Sequence, residues 1–300
     1  MAKLVRYAWF VLVFNVGVIA FGAFVRATGS GAGCGPSWPT CRPASDAGSE
    51  TERAIELMHR RTAGVALVLV VLLAFFVWRN TGKRHPARTG AALSVVAIVG
   101  EALIGAMIVL AEWVAEDASV ARAVSVPLHL VNTLFLLAAL TLTIFWLSGG
   151  NRLDFSLDRR VTGWVLLGAT ALVLIAATGA ITALADTLFP KGAVTDLPVD
   201  EHFLTQLRVV HPILAVVASA IGWMIASRSD KGRGSAAWFL PVIVGLMLLS
   251  GMVNVALGVP VWMQLVHLAL ADALWITYVF VSARALQPSV ATAPRLSPSR

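Results

Sequence analysis

The sequence predicts an all-α polytopic membrane protein whose eight transmembrane helices form two pseudo-repeated four-helix bundles. Of its 300 residues, 58% are apolar and only 13% are charged, a composition typical of chains embedded in lipid. The apolar residues occur in runs close to the roughly 20 residues that a spanning helix needs. Four histidines recur beside alternate runs. Because the apolar runs take up almost all of the 300 residues, they leave no room for a separate soluble domain.

Eight apolar runs are candidates for spanning helices, because a backbone in lipid must satisfy its own hydrogen bonds. They lie at residues 7–25, 61–78, 91–111, 124–147, 162–184, 205–226, 237–257 and 260–283. The first run follows two basic residues as a signal peptide does, but it is long and lacks a clean cleavage site. We interpret it as a retained span. Gly258 and Pro260 separate the last two runs, which argues against merging them into seven spans.

The basic residues are distributed unequally between the connections, which predicts the orientation of the chain. The terminal segments and the connections near 79–90, 148–161 and 227–236 hold 15 of the 23 Lys and Arg residues but only 3 acidic ones, whereas the opposite connections hold 8 basic and 11 acidic residues. We therefore expect a multi-pass protein of the cell membrane with both termini in the cytoplasm. The net charge of +7 is assigned to the surface of the lipid bilayer and not to nucleic acid.

This topology divides the chain into three predicted regions. Residues 1–148 form an N-terminal four-helix half with an outer loop at 26–60, and residues 149–286 form a C-terminal half. Residues 287–300 form a Pro/Ser/Ala-rich tail that we expect to be disordered. Internal similarity supports the two halves, because "EALIGAMIVL" precedes "PLHLVNTLFLL" much as "SGMVNVALGVP" precedes "QLVHLALADALW".

Four histidines share one depth in the predicted membrane: His59, His129, His211 and His267, at or near the outer start of the second, fourth, sixth and eighth spans. A single membrane histidine is compatible with an interhelical hydrogen bond, but four at matched depth on parallel helices indicate function. Imidazole ligates transition metals and haem iron. Each half would hold one pair, His59 with His129 and His211 with His267, and two pairs allow two haem sites.

The two halves differ beside their first histidine. Glu56 precedes His59 by three residues, so both lie on one helix face, whereas Arg208 takes the corresponding position before His211. A carboxylate beside only one pair predicts one reacting site and one resident cofactor. Glu56 is the candidate catalytic group, as a proton acceptor or an anion that stabilises positive charge. The alternative is an exposed partner for a neighbouring arginine, which would contribute little.

The remaining polar residues near the membrane are assigned by their neighbours. Arg60 and Arg61 are candidates for binding haem propionates, with lipid phosphate as the alternative ligand. His85 and His202 fall in polar connections, and we expect both to be solvated. Four further groups are expected to anchor helices by hydrogen bonds and not to relay protons: Glu101, Asp272, Asn132 and Asn254.

The outer loop contains both cysteines of the chain, Cys34 and Cys41, within "GAFVRATGSGAGCGPSWPTC". Because the predicted topology puts this loop in an oxidising compartment, a disulfide between them can persist. The sequence has no Cys-x-x-Cys-His, the motif for covalent haem attachment. Two roles stay open for the pair: a structural staple, or thiols that exchange electrons during turnover.

Five stretches together resemble the haem A synthase family: "GAFVRATGSGAGCGPSWPTC", "ELMHRR", "PLHLVNT", "VVHP" and "NVALGVPVWMQLVHLALADALW". The resemblance extends over essentially residues 5–285. It implies a membrane oxidoreductase of two four-helix halves that converts a methyl group of haem O to a formyl group through an alcohol, giving haem A for cytochrome oxidase. It also implies haem O synthase as a partner, together with an unidentified electron donor or acceptor.

The same resemblance assigns roles to the predicted ligands. It implies that His211 and His267 hold a resident haem b in the C-terminal half. It also implies that His59 and His129 flank the substrate, haem O, in the N-terminal half, with Glu56 in an essential Glu-x-x-His arrangement.

Two details concern how closely the chain follows the family. Cys34 and Cys41 match members that carry a disulfide in the outer loop, whereas Glu101 departs from the amide that is more usual at its position. Two other classes of function are compatible with the residues alone. One is a bis-histidine cytochrome b that transfers electrons through two permanent haems, and the other is a transporter with a proton relay.

Overall fold

The computed structural model describes residues 1–41, 48–190, 202–228 and 239–288, and these residues are helical with no strand. The long helices are α1 (Ala2–Ala27), α2 (Glu50–Asn80), α3 (Ala87–Leu110), α4 (Val120–Leu147), α5 (Arg159–Leu188), α7 (Val210–Arg228), α8 (Phe239–Ala256) and α9 (Val261–Ala285). A short helix α6 (Phe203–Gln206) and a 3-10 turn (Leu207–Val209) precede α7, and a second 3-10 turn (Ser30–Ala32) follows α1. The predicted disordered tail lies outside the described residues from residue 289 onward.

The described helices have the character expected of a multi-pass membrane protein. Seven stretches are long and apolar enough to cross a membrane: α1, α2, α3, α4, α5, the segment Phe203–Ala220, and α9. The described apolar part of α8, Leu240–Ala256, is slightly shorter. Large apolar side chains such as Val96, Phe135 and Met252 are exposed, as expected of surfaces that contact lipid. The prediction of an all-helical polytopic membrane protein is confirmed.

The second helix begins earlier than its hydropathy predicts. α2 starts at Glu50, where Ser49 and Glu52 form a capping box in which each side chain accepts the other residue's backbone N–H. The first turns of this helix are polar, so a search for apolar runs does not detect them. The loop expected at 26–60 is correspondingly shorter, and Glu56 lies within the helix.

Two rings of helix contacts organise the molecule. In the first ring α1 packs on α2, α2 on α3, α3 on α4, and α4 returns to α1. In the second ring α5 packs on α7, α7 on α8, α8 on α9, and α9 returns to α5. α4 also packs against α5 and α9, and it is the most deeply buried of these helices. The indole N–H of Trp275 on α9 donates to the carbonyl of Leu134 on α4 at 2.7 Å, which joins the two rings.

A second connection between the rings lies at the C-terminal end of α1. The guanidinium of Arg26 donates to the carbonyl of Ala183 at 2.7 Å and to the hydroxyl of Thr187 at 2.5 Å, both on α5. Its other terminal nitrogen donates to Oε1 of Gln264 on α9 at 2.9 Å. Because hydrogen bonds from a charged donor are stronger than neutral ones, Arg26 fixes α1 against two helices of the second ring.

Candidate functional site

The structure brings His211 and His267 together inside the second ring. Their imidazole centroids are 6.3 Å apart and the ring planes are inclined at 89°. Two imidazoles that bind one metal from opposite sides through bonds of about 2 Å have centroids roughly 6 Å apart. The spacing of this pair therefore fits two axial ligands of one haem iron, the ligation that imidazole commonly provides.

Hydrogen bonds determine which nitrogen of each ring is available. Nδ1 of His211 lies 3.0 Å from the carbonyl oxygen of Ile175, which can only accept, so Nδ1 carries the proton. Ser250 donates its hydroxyl proton to the carbonyl of Met247, and its Oγ lies 2.8 Å from Nδ1 of His267. The Ser250 hydroxyl can donate to one of these two neighbours at a time, and when it donates to Met247 it accepts from Nδ1 of His267. His211 is held in the tautomer that leaves the Nε2 lone pair for a metal, and the contact with Ser250 is compatible with the same tautomer of His267.

The first histidine of each pair lies tightly against a glycine of an earlier helix. A Cβ atom added to Gly22 on α1 would lie 3.0 Å from Cε1 of His59 on α2. A Cβ atom added to Gly179 on α5 would lie 3.0 Å from Cε1 of His211 on α7. Both distances are shorter than an ordinary van der Waals contact between carbons. A side chain at either glycine would therefore displace the imidazole.

The second histidine of each pair also faces a glycine, at a longer distance. A Cβ atom on Gly105 of α3 would lie 3.9 Å from Nε2 of His129 on α4. A Cβ atom on Gly251 of α8 would lie 3.4 Å from Cε1 of His267 on α9. Each histidine thus faces a glycine of the preceding long helix in both rings of helices. The close approach that requires glycine is made only at Gly22 and Gly179, since 3.4–3.9 Å is an ordinary van der Waals distance.

His59 and His129 occupy the first ring of helices at the same register. Each lies nine positions beyond the first residue of its helix, which is about 14 Å along the helix axis. Among the described ring contacts, however, these two imidazoles do not approach each other as the other pair does.

The environments of these two imidazoles differ. Nδ1 of His59 is buried without a hydrogen-bond partner among the described residues, and the ring meets the edge of Phe21 with centroids 5.7 Å apart. Nδ1 of His129 lies 2.8 Å from Oε2 of Glu101, although the ring must turn for its N–H to point along that contact. His59 is therefore positioned by packing against its neighbours, whereas His129 lies beside a carboxylate.

Glu56 connects α2 to the loop that precedes it. Its side chain is buried, and Oε2 accepts the backbone N–H of Cys34 at 2.7 Å. Oε1 accepts from the guanidinium of Arg60, which also donates to the carbonyls of Ser37 and Thr40. Arg60 is the partner that the alternative interpretation expected, but the pair is buried and not exposed. Both oxygens of the Glu56 carboxylate thus accept hydrogen bonds, one helical turn before His59.

The loop itself lies directly on the first turns of α2. Cys34 and Cys41 form a disulfide. A Cβ atom on Gly33 would lie 2.5 Å from backbone atoms of Glu52 and Arg53, so no side chain fits at this position. Arg61 does not take part in this arrangement, because it is exposed and makes no hydrogen bond among the described residues.

Two of the four expected helix anchors are confirmed. The side-chain amide of Asn132 on α4 donates to Oε1 of Glu101 on α3 at 2.6 Å, and the hydroxyl of Thr133 lies 3.1 Å from Oε2. Asp272 and Asn254 do not meet the expectation. Oδ2 of Asp272 and Oδ1 of Asn254 are buried and have no hydrogen-bond partner among the described residues.

The solvated position expected for His202 is wrong. Its imidazole is half-buried between Phe189 and Phe203, with ring centroids 4.7 Å apart in each case. Its Nδ1 accepts the backbone N–H of Leu204 and so caps the short helix α6. A capping role explains why a polar histidine precedes this apolar segment.

Several known proteins similar to this chain are named haem A synthase. The family model COX15-CtaA, described as cytochrome oxidase assembly protein, matches residues 5–279. A haem A synthase of Geobacillus kaustophilus is 32% identical over 278 residues, which cover 88% of this chain and 84% of the relative. The chain belongs to the haem A synthase family. A haem A synthase of Staphylococcus carnosus is 29% identical over 204 residues, covering 66% of this chain and 64% of the relative.

More similar relatives within this comparison carry a different name. Protoheme IX farnesyltransferases from two strains of Thermus thermophilus are 44% identical over 297 residues, which cover 95% of this chain but 49% of the relatives. The chain therefore spans about half the length of these curated relatives. Membership of the haem A synthase family confirms the resemblance seen in the five sequence stretches.

Proposed function

We propose that this chain is a haem A synthase, an oxidoreductase that converts one methyl group of haem O to a formyl group through an alcohol intermediate. Membership of the family supports the pathway. The observation that carries the proposal is the pairing of His211 with His267 at 6.3 Å, with Nδ1 contacts that are compatible with both Nε2 atoms binding a metal. A resident haem b would bind there, and when bound it supplies a redox-active iron.

Haem O is the proposed substrate of the first ring of helices, bound between His59 and His129. The equivalent contacts of Gly22 with His59 and of Gly179 with His211 support two repeated halves, residues 1–148 and 149–286. The ring closure of α1 to α4, and of α5 with α7, α8 and α9, supports the same division. Each half would bind one porphyrin between helices that present one imidazole each.

Glu56 is the proposed catalytic group. It lies one helical turn before His59 and provides a carboxylate that accepts a proton or stabilises positive charge as the methyl group is oxidised. Both of its oxygens are engaged by Arg60 and by Cys34 N–H, so this role requires Glu56 to part from Arg60. The oxidation also requires an oxygen source and an external electron partner.

Two arginines are the proposed contacts of haem propionates. Arg61 is the stronger candidate because its side chain is exposed and engaged by no described residue. Arg60 already donates to Glu56 and to carbonyls of the loop, so it would have to exchange these acceptors for a propionate. A planar guanidinium can bind a carboxylate through two parallel hydrogen bonds.

The proposed location is the cell membrane with both termini in the cytoplasm. The excess of Lys and Arg in the terminal segments and in alternate connections supports this orientation. The Cys34–Cys41 disulfide would then lie on the outer side, where disulfides persist.

We propose haem O synthase as a functional partner. The Thermus relatives are named protoheme IX farnesyltransferases and contain about as much chain again as the part that matches here. An enzyme that farnesylates protohaem IX makes the farnesylated haem that a haem A synthase consumes. Its fusion to a chain of this family would support direct transfer of the porphyrin between the two proteins.

The test is to purify the protein from a host that makes haem O, extract its non-covalent haems and separate them by chromatography. We expect haem B together with haem O, the alcohol intermediate or haem A. Haem B alone, at two per chain and unchanged by the supply of haem O, would contradict the proposal. That result would indicate a bis-histidine cytochrome b that transfers electrons.

A further inference from the structure

Glu101 is the one carboxylate that contacts a proposed haem ligand across a helix interface in the described structure. It projects from α3, and Asn132 and Thr133 on α4 lie 2.6 Å and 3.1 Å from its two oxygens. These two residues follow His129 by three and four positions, so they share its helix face. The same interface therefore holds Glu101 in place and presents it to His129.

The contact itself is made through Nδ1 of the imidazole. Oε2 of Glu101 lies 2.8 Å from Nδ1 of His129, and the imidazole must turn for its N–H to point at this oxygen. A metal-binding histidine commonly donates its other N–H to a carboxylate, which fixes the tautomer and makes the ligand more basic. With Nδ1 directed at Glu101, Nε2 of His129 is the atom left for iron.

The other three candidate ligands have no such partner. Nδ1 of His211 donates to a backbone carbonyl, and Nδ1 of His267 lies 2.8 Å from the hydroxyl of Ser250, and both of these partners are neutral. Nδ1 of His59 has no hydrogen-bond partner among the described residues. Only His129 is thus held by an acceptor that can carry negative charge.

We propose that Glu101 is a positioning residue that makes His129 the fixed axial ligand of the N-terminal haem site, with His59 as the ligand that detaches when haem enters or leaves. The inference rests on the proposed function, because it requires a haem between these two histidines. A substrate that must leave needs one ligand that can let go, whereas a resident cofactor is better held on both sides.

The first test compares Glu101→Leu with Glu101→Gln in protein purified from a host that makes haem O. Loss of the acceptor in Glu101→Leu should weaken haem binding in the N-terminal half by about 10–100-fold, the range found for partners of metal ligands. Glu101→Gln retains an oxygen acceptor without the charge, so it should lose only a few-fold in affinity. It should raise the midpoint potential of the N-terminal haem, since a neutral acceptor makes His129 less basic.

Two controls separate positioning from folding. Haem B bound in the C-terminal half reports whether each variant is folded, and it should stay at the wild-type amount in both. Glu112→Gln removes a carboxylate at an exposed position just after α3 and should leave both haems and both potentials unchanged. Ser250→Ala should instead alter only the haem signal of the C-terminal half.

The second test compares deletion of the two ligands. His129→Ala should abolish binding of haem O, whereas His59→Ala should weaken it only several-fold and convert the low-spin electron paramagnetic resonance signal of a bis-histidine haem to a high-spin one. Equal loss in both variants, with an unchanged potential in Glu101→Gln, would overturn the inference and leave the proposed function standing. If neither histidine variant changes haem O binding or its spectrum, the proposed function fails as well.

Discussion

The two histidine pairs differ in how firmly the protein holds them. In the second ring of helices both imidazoles make hydrogen bonds through Nδ1, and the centroids of the two imidazoles are 6.3 Å apart. In the first ring one imidazole contacts a carboxylate. The other, His59, packs against Gly22 and Phe21, and its Nδ1 has no hydrogen-bond partner among the described residues. Because the helix packing around the two pairs is similar, the partners of Nδ1 are the difference that supports our proposal of a retained porphyrin in the second half and an exchangeable one in the first.

The residues one helical turn before the first histidine also differ between the two pairs. Beside His59, Glu56 is buried and joined to a disulfide-containing loop. At the corresponding position before His211, Arg208 pairs with Asp186 and donates to the carbonyl of Ala185. The carboxylate in the first half lies where chemistry is proposed. Arg208 in the second half instead connects the turn before α7 to α5.

The largest effect is expected from removing a ligand of the C-terminal pair. His211→Ala or His267→Ala should remove nearly all haem B while leaving haem O bound, because each ligand of this pair belongs to the C-terminal half. The measurement is chromatography of the extracted haems. His85→Ala is the control, since that histidine contributes only a local hydrogen bond to the N–H of Ala87. Equal loss of both haems from the ligand variants would contradict the assignment of the two histidine pairs to different haems.

A large effect is also expected at Glu56. Glu56→Gln keeps an acceptor for Cys34 N–H but removes the charge, so conversion of haem O should fall at least tenfold, an effect within the usual range for a general acid or base, while haem content stays the same. Glu56→Ala additionally leaves Arg60 without its buried partner, at a cost of about 3–5 kcal/mol. It should therefore also make the loop more susceptible to proteolysis.

Turnover and limited proteolysis, measured on the same preparations, separate the two roles of Glu56. If Glu56→Gln converts haem O at the wild-type rate and only Glu56→Ala is impaired, the carboxylate holds the loop and is not catalytic. Glu116→Gln, in the connection between α3 and α4, removes a carboxylate elsewhere and provides the control for a general effect of charge.

A several-fold effect is expected from adding a methyl group beside the first histidine of each pair. Gly179→Ala should lower haem B occupancy and Gly22→Ala haem O occupancy, because the new Cβ lies 3.0 Å from the imidazole in each case. Gly17→Ala and Gly163→Ala lie on the same two helices with nothing within 4 Å. These controls should keep both haems and gain slightly in stability, since alanine favours helix by up to about 1 kcal/mol.

Haem occupancy and thermal unfolding of the four glycine variants test this expectation together. An unchanged occupancy in Gly22→Ala and Gly179→Ala would show that the imidazoles adjust to the added methyl group without moving from the iron. The equivalence of the two contacts would then have no bearing on haem binding.

The smallest effect on haem conversion is expected from the disulfide. In the double variant Cys34→Ser with Cys41→Ser, the loop is still held by Glu56 and Arg60, so conversion should change by less than about twofold. Thermal stability should fall, since native disulfides typically contribute about 2–4 kcal/mol. Activity assays with and without a thiol reductant check this result. Loss of conversion at unchanged haem content would instead assign the cysteines a redox role.

The sequence predicts the helices and the histidines well, because hydropathy and register are local properties. It also indicates Glu101 and Asn132 as helix anchors, since buried polar side chains in lipid need partners, but not that they bond to each other. It does not show that α2 begins at Glu50, because a polar first turn has no hydropathy signal. The capping box of Ser49 with Glu52 was the available indication.

The partners of the imidazoles were harder to predict for a physical reason. The acceptor for His211 is the backbone carbonyl of Ile175, and a carbonyl gives no side-chain signal in any sequence. Ser250 contacts His267 only because α8 and α9 pack against each other. Gly22 and Gly179 could have been found by searching the preceding span of each half for a glycine at the depth of the histidine.

The most direct measurement is a haem-exchange experiment on the full chain. Protein purified with isotopically labelled haems is incubated with excess unlabelled haem O and haem B, and the label retained in each extracted haem is followed over time. We predict that labelled haem O is replaced while labelled haem B stays bound through many such exchanges. Equal exchange of both haems, or retention of both, would contradict the division into one resident and one exchangeable site.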